Sequence, residues 1–103
     1  MTKNAADQPM LPYEKFLALG SCALTEAELI AIILRTGTRD CPALMTAQKV
    51  LALAGGREPG LNGLYHVSVK ELMEIPGIGE VKAVKIKCLT ELAMRMARER
   101  ALR

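Results

Sequence analysis

Two helix starts in this chain follow the same residue pattern, and they restrict the fold more than any other feature. "LTEAELIAI" at 24–32 and "VSVKELMEI" at 67–75 share an apolar residue, a hydroxyl, a Glu-Leu pair and a closing Ile. A Thr or Ser followed three residues later by Glu is the capping box that begins an α-helix. Both are followed by a glycine-containing turn, which favours an internal duplication of a helical unit. The alternative is that unrelated capped helices look alike over so short a stretch.

The other start and stop signals predict an all-α domain of five helices over residues 11–103, after a disordered leader at 1–10. Proline suits the first turn of a helix, and glycine suits its end. The expected limits are Pro12 to Gly20, the cap Thr25 to Arg35, Pro42 to Gly55, the cap Ser68 to Pro76, and Gly79 to about Ala101. Short connections favour two helical hairpins related by a pseudo-twofold axis, the second well formed and the first degenerate, with "LYHV" as the only strand candidate.

Composition excludes several classes of protein. With 103 residues the chain is long enough for one domain, and no apolar run approaches a membrane span or a secretory signal. We therefore expect a soluble, cytoplasmic protein without a membrane partner. Cys22, Cys41, Cys88 and His66 have neither zinc-site spacing nor a disulfide pattern. No catalytic constellation is present, so an enzyme is not predicted, and the net charge of +3 permits an anionic partner without requiring one.

The stretch "EIPGIGEVKAVKIK" at 74–87 is the candidate functional site. Pro76 disfavours helix at the preceding residue, and the two glycines permit a tight turn in which Ile78 faces inward. The first N–H groups of the following helix have no partner within it and lie at the positive end of the helix dipole. Because Gly77 and Gly79 lack a Cβ, an anion can approach these N–H groups closely.

Lysines at the start of the fifth helix indicate what the anion is. Lys82 and Lys85 share one face, whereas Lys87 is turned away from Lys82 by about 140°. Cations are unfavourable at a helix N-terminus, and a backbone phosphate of a nucleic acid would remove that conflict. We expect weak, sequence-independent contacts with a nucleic-acid backbone through Gly77, Ile78, Gly79, Val81, Lys82 and Lys85.

Two further expectations concern residues outside this turn. Thr36, Gly37, Thr38 and Arg39 could repeat the phosphate contact in the first copy of the unit, and the sequence leaves this open. Along the fifth helix, a continuous apolar stripe is expected to pack on the other helices; it consists of Ala83, Ile86, Leu89, Ala93 and Met96.

These residues resemble a known motif and a known family. "LMEIPGIGEVKAVKI" resembles the helix-hairpin-helix motif, with Ala83 and Ile86 at its two apolar helix positions, which implies contacts with the DNA backbone. "LPYEKFLALGSCALTEAELIAIILRTGT" and "LNGLYHVSVKELMEIPGIGEVKAVKIKCLTELAMR" resemble the N-terminal domain of the RadC family of bacterial proteins associated with the repair of DNA damage. The resemblance covers residues 11–97. "RDCPALMTAQKVLALAGGREPG" is a looser version of that family's middle helix and loop.

The resemblance also bears on catalysis. Full-length RadC-like proteins usually carry a second domain that resembles JAMM-type zinc hydrolases, with an HxH motif and a downstream Ser and Asp. That domain is expected to be absent, since Arg103 ends the chain where it would begin. The resemblance thus implies zinc for the missing domain, and no cofactor, metal ligand or catalytic residue for residues 1–103. The alternative function is a protein-interaction or regulatory domain for such a C-terminal domain or another protein.

Overall fold

A computed structural model of the protein describes residues 10–35 and 41–102. Within these ranges the chain is all-helical, with five α-helices and two short 3₁₀ helices. The α-helices are α1 (Pro12–Leu19), α2 (Glu26–Leu34), α3 (Cys41–Gly55), α4 (Val69–Met73) and α5 (Glu80–Ala101). The 3₁₀ helices are Ser21–Ala23 and Leu61–His66. The predicted leader, except for Met10, and the predicted second turn at 36–39 lie outside the described residues.

Both predicted capping boxes are confirmed. At α2 the N–H of Glu28 donates to Thr25 Oγ1 over 3.2 Å, and the N–H of Thr25 donates to Glu28 Oε1 over 2.8 Å. At α4 the same pair of bonds joins Ser68 and Glu71, each 3.0 Å long. Each box satisfies two backbone N–H groups that a helix start otherwise leaves without partners. The short-range signals in the sequence therefore place both helix starts correctly.

The strand candidate "LYHV" is wrong, because most of it lies in the 3₁₀ helix Leu61–His66. The buried positions here are Leu64 and Val67, three residues apart, while the two residues between them are exposed. This spacing matches the three residues per turn of a 3₁₀ helix rather than the alternation of a strand. The N–H of Gly63 donates to the carbonyl of Gly60 over 3.2 Å, which closes the first turn.

The hydrophobic core lies between α2, α3, the second 3₁₀ helix, α4 and the first part of α5. Its fully enclosed large side chains come from four of these elements and from the residue that follows the second 3₁₀ helix: Leu34, Val50, Val67, Leu72 and Ile86. α1 contributes no buried residue. It is joined to α2 by an ion pair of Lys15 with Glu28 (3.2 Å) and by Arg35, which lies 5.0 Å above the ring of Tyr13.

The predicted apolar stripe of α5 is only half correct. Ala83 and Ile86 are buried, with 0% and 2% of their surface exposed. Leu89, Ala93 and Met96 are exposed, Met96 to 67%. The period of the sequence identified residues that share a side of the helix. Leu89 borders an open groove between α2 and the second 3₁₀ helix, and Met96 lies where α5 extends past the elements that cover its first half.

Candidate nucleic-acid interface

The turn between α4 and α5, which we call the PGIG turn (residues 76–79), is a type II β-turn followed by the N-cap of α5. The N–H of Ile78 donates to the carbonyl of Ile75 over 3.0 Å, so that Pro76 and Gly77 occupy the two central positions. Gly77 has φ of +96°, which L-residues rarely adopt. A Cβ there would also lie 3.2 Å from Thr46 Oγ1 of α3. The turn is therefore seated on α3, a contact that the sequence alone did not indicate.

Ile78 holds the turn in place. Its side chain is 3% exposed and belongs to the core, as predicted. Its N–H is already used in the β-turn. The contribution of this residue to a binding site is therefore to fix the glycines on either side of it.

Gly79 differs from Gly77, because the fold gives no reason for a glycine at this position. It is the N-cap of α5, with extended backbone angles (φ −91°, ψ −172°) that any residue adopts. A Cβ would meet no atom within 4 Å, and no side chain caps the helix. The first N–H groups of α5 thus face open space, where most helix starts have a Ser, Thr, Asp or Asn side chain.

The lysines of α5 separate into two groups. Lys82 is half-buried and Lys85 is exposed, and neither forms an ion pair within the described part of the chain. Lys87 instead donates from Nζ to the carbonyl of Leu64 over 2.8 Å, and its burial lowers its pKa. It therefore anchors α5 to the second 3₁₀ helix, in agreement with its predicted direction away from Lys82. Val81, the other predicted site residue, is 68% exposed.

Two carboxylates that the sequence prediction did not include flank the site. Glu80 lies in the first turn of α5, and Glu74 caps the end of α4; both are exposed. A carboxylate in the first turn interacts favourably with the helix dipole, as a bound phosphate would. Glu80 therefore competes with an external anion for the positive end of the α5 dipole. The "GEVK" sequence already contained this signal.

His66 has an acidic partner that its neighbours in sequence did not reveal. Its Nε2 lies 2.8 Å from Glu58 Oε1, and both side chains are largely exposed. In the two described ranges no group of three or more His, Cys, Asp or Glu side chains could hold a metal ion. None of the helices described is both long and apolar enough to cross a membrane.

Comparison with known proteins assigns the family. A family model described as UPF0758 N-terminal matches residues 4–84. The chain belongs to the UPF0758 N-terminal family. The matched part of this UPF0758 chain contains both capped helix starts and the whole PGIG turn, and it ends within α5.

The relatives of this UPF0758 chain are longer proteins with the same family name. It is 41% identical over 92 residues to a UPF0758 protein of Streptococcus thermophilus and 42% identical over 92 residues to one of Bordetella petrii. Each match covers 89% of this chain and 39% of the relative. A UPF0758 protein of Clostridium perfringens is 43% identical over 84 residues, covering 82% of this chain and 35% of the relative. The chain thus spans well under half of these relatives, and no solved structure matches it.

Proposed function

We propose that this chain is a non-catalytic module that binds the DNA backbone without sequence preference, in a protein associated with DNA repair in the cytoplasm. The proposal also includes a helix-hairpin-helix unit around the PGIG turn and membership of the RadC family, both of which the sequence suggested. One observation carries it: α5 begins at a glycine that the fold does not require, with open N–H groups beside two lysines.

The geometry supports a simple mode of contact. The N–H groups at the start of α5 would donate to phosphate oxygens, while Lys82 and Lys85 neutralise the charge. Gly77, which has no Cβ, would let the phosphate approach the turn closely. The buried side chain of Ile78 holds the turn against the core. None of these groups would contact a base edge, so the module is not expected to distinguish between DNA sequences.

The expected affinity is low. One turn with two lysines belongs to the range of non-specific binding, roughly 10⁻⁴ to 10⁻⁶ M. Neutralising about two phosphates gives a slope of about −2 in a plot of log K against log salt concentration. Such a module would act as an anchor rather than as the sole determinant of a DNA site.

Fluorescence anisotropy of labelled duplex DNA at two salt concentrations tests this proposal. Lys82→Gln and Lys85→Gln should each weaken binding and reduce the salt slope by about 1. Glu80→Gln should strengthen binding, because it removes the competing carboxylate. Lys87→Gln is the matched control: it removes the same charge from the same helix, at a side chain that anchors to Leu64 instead of facing the turn. It should lower the free energy of unfolding by about 1 kcal/mol and leave DNA affinity within about twofold.

The opposite result would favour the alternative function. If the folded Lys82→Gln, Lys85→Gln and Lys87→Gln variants all bind DNA as the parent does, the PGIG turn only connects helices. A protein-interaction or regulatory role, beside a C-terminal JAMM-type domain or another protein, would then account better for the chain.

A further inference from the structure

The end of α5 contains an unpartnered helical surface. Every residue from 91 to 102 is exposed, and we call residues 91–101 the outer half of α5; they extend about 16 Å along the helix axis. Two large apolar side chains four residues apart share one side of this segment, with Leu92 exposed to 58% and Met96 to 67%. An isolated helical segment of this length has little stability in water, so it gains from a partner that covers its apolar side.

A groove on the same molecule is lined mainly by apolar side chains. This groove, which we call the α2–α5 groove, has a volume of about 450 Å³ and runs between α2, the second 3₁₀ helix and α5. Its apolar lining comes from all three elements: Leu29, Ile33, Leu61, Tyr65, Leu89 and Ala93. An apolar groove can accept the apolar side chains of an amphipathic helix.

Charge also matches between the groove and the outer half of α5. Glu26, in the first turn of α2, lines the groove. On the outer half, Arg95 is paired with Glu91 (2.9 Å), whereas Arg98 and Arg100 have no acidic partner among the described residues. With Arg95, Arg98 and Arg100 against Glu91 and Glu99, the outer half is net basic, and the groove offers it an acidic side chain.

We propose that two copies of this chain form a symmetric dimer in which the outer half of α5 in each copy lies in the α2–α5 groove of the other. One copy supplies one helix and one groove, so a reciprocal exchange covers both surfaces and closes the assembly. The PGIG turn is at the opposite end of α5 and stays outside the contact. The dimer can therefore be tested independently of the proposed DNA function.

Sedimentation equilibrium of the 103-residue chain over a range of concentrations tests the dimer. The wild-type chain should show a concentration-dependent equilibrium of monomer and dimer. Leu92→Glu and Met96→Glu should each raise the dissociation constant at least about tenfold, because each places a charge in an apolar contact. Both side chains are more than half exposed in the single chain, so circular dichroism should show unchanged folding.

Leu17→Glu is the matched control. Leu17 is 71% exposed on α1, which contacts α2 through Glu28 and Arg35, on a different side from Leu29 and Ile33. It adds the same charge at a similarly exposed leucine and should leave the dissociation constant unchanged. Glu26→Lys should raise that constant, with the effect diminishing at high salt.

Two results would overturn the dimer. One is a wild-type chain that remains monomeric at about 1 mM, the weak limit of a specific contact. The other is an equal effect of Leu92→Glu and Leu17→Glu, which would show that added charge acts generally rather than in the groove. A monomer would leave the groove to a different protein or to the additional chain present in the longer relatives.

Discussion

At the scale of single residues, the fold requires two of the glycines, each for a different physical reason, and does not require a third. Gly77 has a positive φ, as the third position of a type II turn requires. Gly63 is enclosed, because a Cβ would lie 1.9 Å from the carbonyl oxygen of Ala54. Gly79 has neither constraint. Its lack of a side chain is therefore more informative about binding than about folding.

This difference predicts an unusual outcome for Gly79→Ser. A serine hydroxyl can accept from an N–H in the first turn of α5, and the unfolded chain loses freedom, so the free energy of unfolding should rise by about 0.5 kcal/mol. DNA affinity should fall about tenfold, since the hydroxyl takes one of the N–H groups offered to phosphate. Urea unfolding followed by circular dichroism and DNA anisotropy would measure the two effects. A destabilised Gly79→Ser would show that the fold does need this glycine, and the main support for the DNA site would be lost.

At the scale of helices, capping bonds decide where α2 and α4 begin. At α2 the charge of the Glu28 carboxylate contributes to its bond with the Thr25 N–H. The backbone N–H of Thr25 and the neighbouring Lys15 lower the pKa of Glu28 below its ordinary value of 4.5, although its partial burial acts in the opposite direction. A carboxyl whose pKa is lower in the folded than in the unfolded state stabilises the fold when ionised. That contribution is complete above the unfolded pKa and is lost as pH falls through the folded pKa.

Glu28→Gln should therefore have a pH-dependent effect on stability. Glutamine can still accept the hydrogen bond from Thr25, so the variant isolates the contribution of the charge. At pH 7 its free energy of unfolding should be lower than that of the wild type by about 0.5 kcal/mol. The difference should decline as pH falls below 4.5 and vanish once the carboxyl is protonated in both states. Urea unfolding at several pH values would measure it, and a constant difference would contradict the assignment.

At the scale of the whole molecule, the fold depends on a close approach between α3 and the second 3₁₀ helix. Gly63 lies against the backbone of Ala54, and Leu64 and Val67 complete the same buried side. Next to it, Arg57 pairs with Glu71 and joins the loop after α3 to α4. This packing supports the end of α4 and, through Lys87, the first half of α5. The position of the PGIG turn is thus set by contacts far from it in sequence.

Gly63→Ala tests that dependence. Its Cβ would overlap backbone atoms of Ala54 and Glu58, which cannot move without shifting the 3₁₀ helix, so the free energy of unfolding should fall by about 3 kcal/mol. Gly55→Ala is the control: a Cβ there meets no atom within 4 Å, and the change should be neutral or slightly stabilising. Thermal unfolding would distinguish the two variants. Equal midpoints would mean that the close approach does not support the fold.

Sequence reasoning was most successful where the cause is local. Capping boxes, the proline and glycine of the PGIG turn and the inward direction of Ile78 depend on neighbours within a few residues, so they could be predicted. Tertiary structure decided three other features: the contact of Thr46 with Gly77, the pairing of Glu58 with His66, and which residues of the α5 stripe are buried. Periodicity shows that Ile86, Leu89 and Met96 lie on one side of a helix, but only the arrangement of the other elements determines which of them is covered.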